Sequence, residues 1–290
     1  MNITIVKTKL GDLEYSTVGK GTPVLFVHGG HANCCETLCH KGLDLEKFQL
    51  ITPSRPGYGK TPLDNNKTPK QAAELFVELL NSLALEKVIV YGISAGGLTA
   101  IELAGNYPDR VSKLILASAI SDKWLDKEGQ TYKTARMIFN PRIENFTWGM
   151  VRFFSALFPR MIARNFYPQF STKPIHKLNS DDVKKLINTL KYYSSGSGFL
   201  NDIDQNVEEG VLNKIECPTL IIHSKNDNSV SIDHAEHSNK LIKTSTLEMI
   251  DNEWGHLLWV GQDSQISVEI ITKFIEEELP IHNNGRSHRE

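Results

Sequence analysis

Gly92-Ile93-Ser94-Ala95-Gly96 follows the apolar run Val88-Ile89-Val90-Tyr91 and precedes Leu98, Ile101 and Leu103, which recur at helical spacing up to Pro108. The three patterns read as a strand, a sharp turn and a helix, with Ser94 carried at the tip of the turn. Glycine is needed at 92 and 96 because a side chain at either position would strike neighbouring backbone. A serine hydroxyl is a weak nucleophile at neutral pH. Chemistry at Ser94 therefore requires a histidine to take its proton and an acid to orient that histidine.

Working outward, His28-Gly29-Gly30-His31 follows the apolar strand pattern 23–27, where a glycine-rich loop can turn amides toward the serine. The Gly30 and Ala95 N–H groups are the expected oxyanion hole, the second reinforced by the positive end of the helix after Ser94. Asp227 is the expected acid, because Ser224-Lys225-Asn226-Asp227 follows strand 219–223 and places a carboxylate at a strand's C-terminal edge. His256, in Trp254-Gly255-His256 beyond strand 247–250, is the expected base. His31 and His223 do not follow the last strand and are assigned structural or pocket roles.

The rest of the pattern supplies the scaffold. Segments 3–8, 13–18, 23–28, 49–52, 87–93, 113–118, 219–223 and 247–250 read as strands. A helix begins after Thr68, with Pro69 at its first position and Gln71 completing a capping box, and Ile266, Ile270, Ile271, Phe274 and Ile275 mark a closing helix that Pro280 ends. Alternating strands and helices predict an α/β fold with a mostly parallel sheet. Residues 1–122 and 214–280 are expected to form its core, 123–213 an inserted helical cap, and 281–290 a polar tail. The cap holds 14 of the chain's 24 aromatic residues, enough to roof an apolar pocket for a largely apolar small molecule.

Composition narrows the class. The 290 residues are 40% hydrophobic and sum 32 basic against 34 acidic side chains to a net charge of −2, which leaves no global field for nucleic acid. No apolar run approaches the ~20 residues of a bilayer span, and lysine interrupts the N-terminal segment before a signal peptide can develop. The expected location is the cytoplasm. Cys34, Cys35 and Cys39 are too close for a disulfide framework and lack C-x-x-C spacing. They are expected as reduced thiols on a helix, without a metal, and the chemistry calls for no cofactor.

Within residues 133–177 of the cap, Lys133, Arg136, Arg142, Arg152, Arg160, Arg164, Lys173 and Lys177 face one acid, Glu144. Interleaved with aromatics, this stretch suits an anionic membrane surface or acidic substrates. The preferred expectation is a solvated face balanced by Asp181, Asp182, Asp202, Asp204, Glu208 and Glu209.

His28-Gly29-Gly30, Arg55-Pro56-Gly57-Tyr58-Gly59, Gly92 to Gly97, the Asp227 loop and Gly255-His256 together resemble the α/β-hydrolase fold superfamily. The likeness is to its single-cap group of carboxylesterases, lactonases, haloperoxidase-like enzymes, carbon–carbon bond hydrolases and proline iminopeptidases. The chain departs from that group at Ser54, often aspartate, and at Ser224, often glycine. The resemblance implies a serine hydrolase acting on an ester, thioester or lactone. Carbon–carbon bond hydrolysis, peptidase activity with Glu144 meeting a substrate amine, and a non-turnover receptor remain alternatives. Serine at 94 disfavours haloalkane dehalogenase and epoxide hydrolase activity, which use aspartate there.

Overall fold

A computed structural model describes residues 1–140, 142–175 and 178–277 of the chain. Pro280, the tail 281–290 and Lys177 lie outside the described residues. Eight strands, β1 (Asn2–Thr8), β2 (Gly11–Gly19), β3 (Thr22–Val27), β4 (Phe48–Pro53), β5 (Val88–Ile93), β6 (Val111–Ala117), β7 (Thr219–Ser224) and β8 (Ser245–Ile250), start and stop within two residues of the sequence reading. They form one sheet in the order β1-β2-β4-β3-β5-β6-β7-β8. The β1–β2 and β2–β4 pairs are antiparallel, and every pair from β4–β3 to β7–β8 is parallel.

The inner parallel strands β3, β5, β6 and β7 read as largely apolar runs because both faces are covered. Leu25, Val27, Val88, Val90, Leu114 and Leu116 point into one core layer, while Val24, Phe26, Ile89, Tyr91, Ile115 and Ala117 point into the other. Helices α1 (Pro69–Ser82), α2 (Gly97–Asn106) and α9 (Ile232–Leu241) cover the first face, and α10 (Ser264–Glu276) covers the second. In α1 the Thr68 hydroxyl accepts from the Gln71 amide and the Gln71 side chain accepts in return, while Leu75, Phe76, Leu79 and Leu80 are buried. Loss of such a cap costs about 1 kcal/mol.

Two sequence readings need correction. In α10 the buried face runs through Ser264, Ser267, Val268, Ile271 and Ile275, and Ile266 is left 56% exposed. The Ser264 and Ser267 hydroxyls donate to the Gly261 and Leu258 carbonyls, and a satisfied hydroxyl faces a core at little cost. No disulfide links cysteines among the described residues, and of Cys34, Cys35 and Cys39 only Cys39 lies in a helical turn, the 3₁₀ segment Leu38–His40. Asn33 Oδ1 accepts from the Cys35 amide and Glu36 Oε1 from the Leu38 amide, and these side-chain bonds replace helix hydrogen bonding along the segment.

Six helices are inserted between β6 and β7: α3 (Gln130–Ile138), α4 (Glu144–Leu157), α5 (Pro159–Phe170), α6 (Ser180–Leu190), α7 (Gly198–Asp202) and α8 (Glu209–Leu212). Helices α4, α5 and α6 share a buried cluster with Trp254, Leu257 and Val260 of the segment after β8. Helix α8 packs Val211 and Leu212 into the α1–α2 layer. No helix among the described residues is long and apolar enough to cross a membrane.

Candidate active site

Three strand ends converge. Ser94 caps β5 at φ +50°, a left-handed conformation uncommon for a residue with a side chain. The turn is held because the Ile120 amide donates to the Ser94 carbonyl at 3.0 Å. A Cβ at Gly92 would lie 2.5 Å from that of Ala100, and one at Gly96 would lie 2.1 Å from the Val27 carbonyl oxygen. Both glycines are therefore dictated by close packing of the turn on α2 and on the end of β3.

Asp227, after β7, is almost wholly buried. Its Oδ1 accepts from the Ser229 and Val230 amides at 2.8 and 2.9 Å, and its Oδ2 meets His256 Nδ1 at 2.8 Å. His256 Nε2 lies 3.1 Å from Ser94 Oγ. An ionised carboxylate only accepts, so Nδ1 carries the imidazole proton and Nε2 is left to accept from the serine hydroxyl. Burial alone would raise the Asp227 carboxyl, but the His256 and His223 imidazoles and the Val230 amide outweigh it and hold the carboxyl below its usual value.

The insertion fastens the acid and base loops together, which the sequence did not reveal. Phe170 O accepts from the His256 amide at 2.9 Å and from the Asn228 amide at 3.2 Å, and the Thr172 amide donates to Asn226 O at 2.9 Å. Gly255, at φ +53°, makes this possible, since a Cβ there would lie 2.3 Å from Phe170 O. Carbonyls carry no side-chain signature, so no motif announces this strap.

The glycine loop after β3 lies against Ser94: a Cβ at Gly29 would stand 3.0 Å from the Ser94 Cβ. The Gly30 N–H has no acceptor among the described residues. Ala95 lies in the turn Ser94–Gly96 that opens α2, where first-turn amides have no intrahelical acceptor. Ser54, at the first departure from the family pattern, donates to Glu14 Oε2 and accepts from the Cys34 amide. Ser224, at the second, accepts from the Asn226 amide. The Ser224 bond closes a local turn, whereas Ser54 ties the end of β4 to β2 and to the Cys34 loop.

A cavity of about 600 Å³ opens onto Ser94 and His256. Aromatic rings dominate its wall, among them Trp124, Phe139, Trp148, Phe170, Tyr193 and Phe199. Glu36, which the sequence reading did not single out, is the one carboxylate lining it among the described residues. It forms no salt bridge among them, and burial, partly offset by the Leu38 and Thr37 amides, raises its pKa. No group of three or more His, Cys, Asp or Glu side chains among the described residues is placed to hold a metal ion.

The competing histidines take different places. His223 sits behind Asp227, its Nε2 3.0 Å from Val230 O. His31 lines the cavity, stacked on Phe199 with ring centroids 3.8 Å apart, and burial lowers its pKa from 6.5 to about 3. The unfolded chain therefore protonates His31 first, so its contribution to stability is complete above pH 6.5 and is lost as pH falls toward 3. That loss is about 2 kcal/mol between pH 7 and pH 5. Urea midpoints should show His31→Gln losing about 2 kcal/mol less than the parent over this interval. Equal pH slopes for the two proteins would refute the assignment.

With this geometry in place, comparison with known proteins identifies the scaffold. A family model described as the alpha/beta hydrolase fold matches residues 22–260. The chain belongs to the α/β-hydrolase fold family. The hydrolase YcgS of Bacillus subtilis is 38% identical to this hydrolase over 272 residues, covering 92% of the chain and 95% of the relative. Among solved structures, an α/β-hydrolase fold protein from Nakamurella multipartita superposes with TM-score 0.76 at 24% identity, over 94% of this chain and 98% of its own. An esterase from Exiguobacterium antarcticum superposes with TM-score 0.70 at 23% identity, over 94% and 99%. These two likenesses establish the fold.

Proposed function

We propose that this hydrolase cleaves an ester, thioester or lactone through an acyl-Ser94 intermediate, with residues 123–213 acting as a cap over the pocket. The observation that carries this reading is the single imidazole of His256 spanning Ser94 Oγ at 3.1 Å and Asp227 Oδ2 at 2.8 Å. Ser94 Oγ attacks the carbonyl carbon as its proton passes to His256 Nε2, and the oxyanion faces the Gly30 and Ala95 N–H groups. Collapse breaks the bond to the leaving oxygen or sulfur, which takes the proton from His256. Water then attacks the acyl carbon, gives its proton to His256, and the acid departs as Ser94 is reprotonated. Asp227 keeps the imidazole in the required tautomer throughout. A fluorophosphonate should add one phosphonyl group to Ser94, located by peptide mass. Folded protein left unmodified would overturn the mechanism.

One observation favours a second substrate class, an acyl group bearing an amine. The sequence candidate for meeting that amine, Glu144, is only 4% exposed, accepts from the Ser195 amide and is absent from the cavity wall. Glu36 takes its place as a carboxylate in no salt bridge among the described residues, beside aromatic faces that also attract a cation. A charge-assisted hydrogen bond of ~1.5–3 kcal/mol corresponds to a preference of about 10- to 100-fold. Glu36→Gln should lower by that factor the ratio of kcat/KM for an aminoacyl ester to that for its des-amino analogue. An unchanged ratio rules the class out.

A further inference from the structure

Helix α4 has two apolar faces. Thr147, Trp148 and Val151 line the active-site cavity. On the opposite side Phe146 is 70% exposed, Met150 39%, Phe153 60% and Leu157 56%. Their spacing of four, three and four residues is one helical face, and the other exposed members of α4, Asn145 and Ala156, carry no charge. Ile143 and Phe158 extend the stripe beyond both helix ends, and Met137 of α3 and Met161 of α5 are also exposed. A contiguous patch of this kind marks an interaction surface.

Charge selects the occupant. Arg142 precedes the stripe in sequence, and Arg160 and Arg164 follow it on α5; all three are exposed and in no ion pair among the described residues. Within residues 137–164 the sole acid is Glu144, buried and turned inward to the Ser195 amide. A second copy docked through the same stripe would set these arginines against themselves with no exposed acid from this stretch to meet them. An anionic lipid surface answers both features, taking the apolar face below its headgroups and the arginines at their level. The sequence expectation of a solvated face balanced by Asp181, Asp182, Asp202, Asp204, Glu208 and Glu209 holds for Arg136, which pairs with Asp204, whereas Lys133 and Lys173 pair with Glu128 and Asp251, outside that set. It does not hold for these three arginines.

We propose that the outer face of α4 docks this hydrolase on anionic membrane surfaces, bringing the cavity to within one helix diameter, about 10 Å, of the lipid. Docking does not depend on the acyl-serine mechanism, and its test reads binding rather than turnover.

The test is co-sedimentation of the full chain with phosphatidylglycerol–phosphatidylcholine vesicles and with pure phosphatidylcholine vesicles, at low and at high salt. Binding should need the anionic lipid and weaken with salt, and Phe146→Ser/Phe153→Ser should reduce it by at least about 10-fold. Arg160→Gln/Arg164→Gln should reduce it by about 5-fold for each arginine removed. A thermal midpoint close to the parent's establishes that each variant is folded, since all four side chains are exposed. No sedimentation with either vesicle overturns the proposal, as does equal binding of the Phe146→Ser/Phe153→Ser variant or equal binding to neutral lipid. A parent that is dimeric in sedimentation velocity and becomes monomeric in the phenylalanine variant assigns the stripe to a second copy and also overturns it.

Discussion

Replacing Ser94 with alanine is expected to lower kcat for a short p-nitrophenyl ester by about 10⁵-fold, while the fold is retained. The size follows from interdependence. His256 Nε2 has a proton to accept only if a hydroxyl faces it at 3.1 Å, and the buried Asp227 acts only through His256. Removing the first member therefore idles the other two. What is expected to survive is the proposed pair of oxyanion donors, the Gly30 and Ala95 N–H groups, and the shape of the cavity, enough for weak catalysis over water. The fold should survive because Ser94 Oγ bonds only to His256, and alanine at φ +50° bears much the same backbone strain as serine. Steady-state rates and thermal midpoints of the two proteins check both halves. A Ser94→Ala enzyme within 10-fold of the parent would move the nucleophile elsewhere.

Readability of this chain followed the range over which the physics acts. The inner strands β3, β5, β6 and β7 were legible because burial on both faces imposes continuous apolar runs, and the Ser94 turn because close packing forbids side chains at Gly92 and Gly96. Asp227 and His256 were legible through their place after β7 and β8. The Phe170 strap was not, since it works through main-chain carbonyls that any residue supplies. The inward face of α10 was misread because Ser264 and Ser267 look polar until their acceptors are known. Composition revealed that 123–213 was aromatic and basic. It did not reveal that Trp148 would turn inward and Phe146, two residues away, would lie 70% exposed. That division depends on how α4 packs against α5 and α6, which is tertiary.

A second large effect is expected at a residue that does not line the active-site cavity. Asp202, at the end of α7, accepts from Arg55 Nη1 at 2.8 Å, Arg55 Nη2 at 2.7 Å and the Tyr58 hydroxyl at 2.6 Å. Arg55 and Tyr58 are buried at 3% and 1% exposure, so Asp202→Ala strands a guanidinium and a phenol away from water. Breaking a buried pair from one side costs about 3–5 kcal/mol, whereas replacing both partners by apolar residues is often neutral. Urea unfolding should therefore show Asp202→Ala far below the parent and Asp202→Leu/Arg55→Met/Tyr58→Phe, which leaves neither guanidinium nor phenol stranded, closer to it. Activity should separate the two variants in the opposite sense. Arg55 Nε donates to His28 O at 2.7 Å and Nη2 to Gly29 O at 3.2 Å, so the guanidinium holds the loop that presents Gly30. The triple variant recovers stability without that hold and should be slow in kcat. If its kcat matched the parent's, Arg55 would be a strut for α7 with no part in positioning the oxyanion loop.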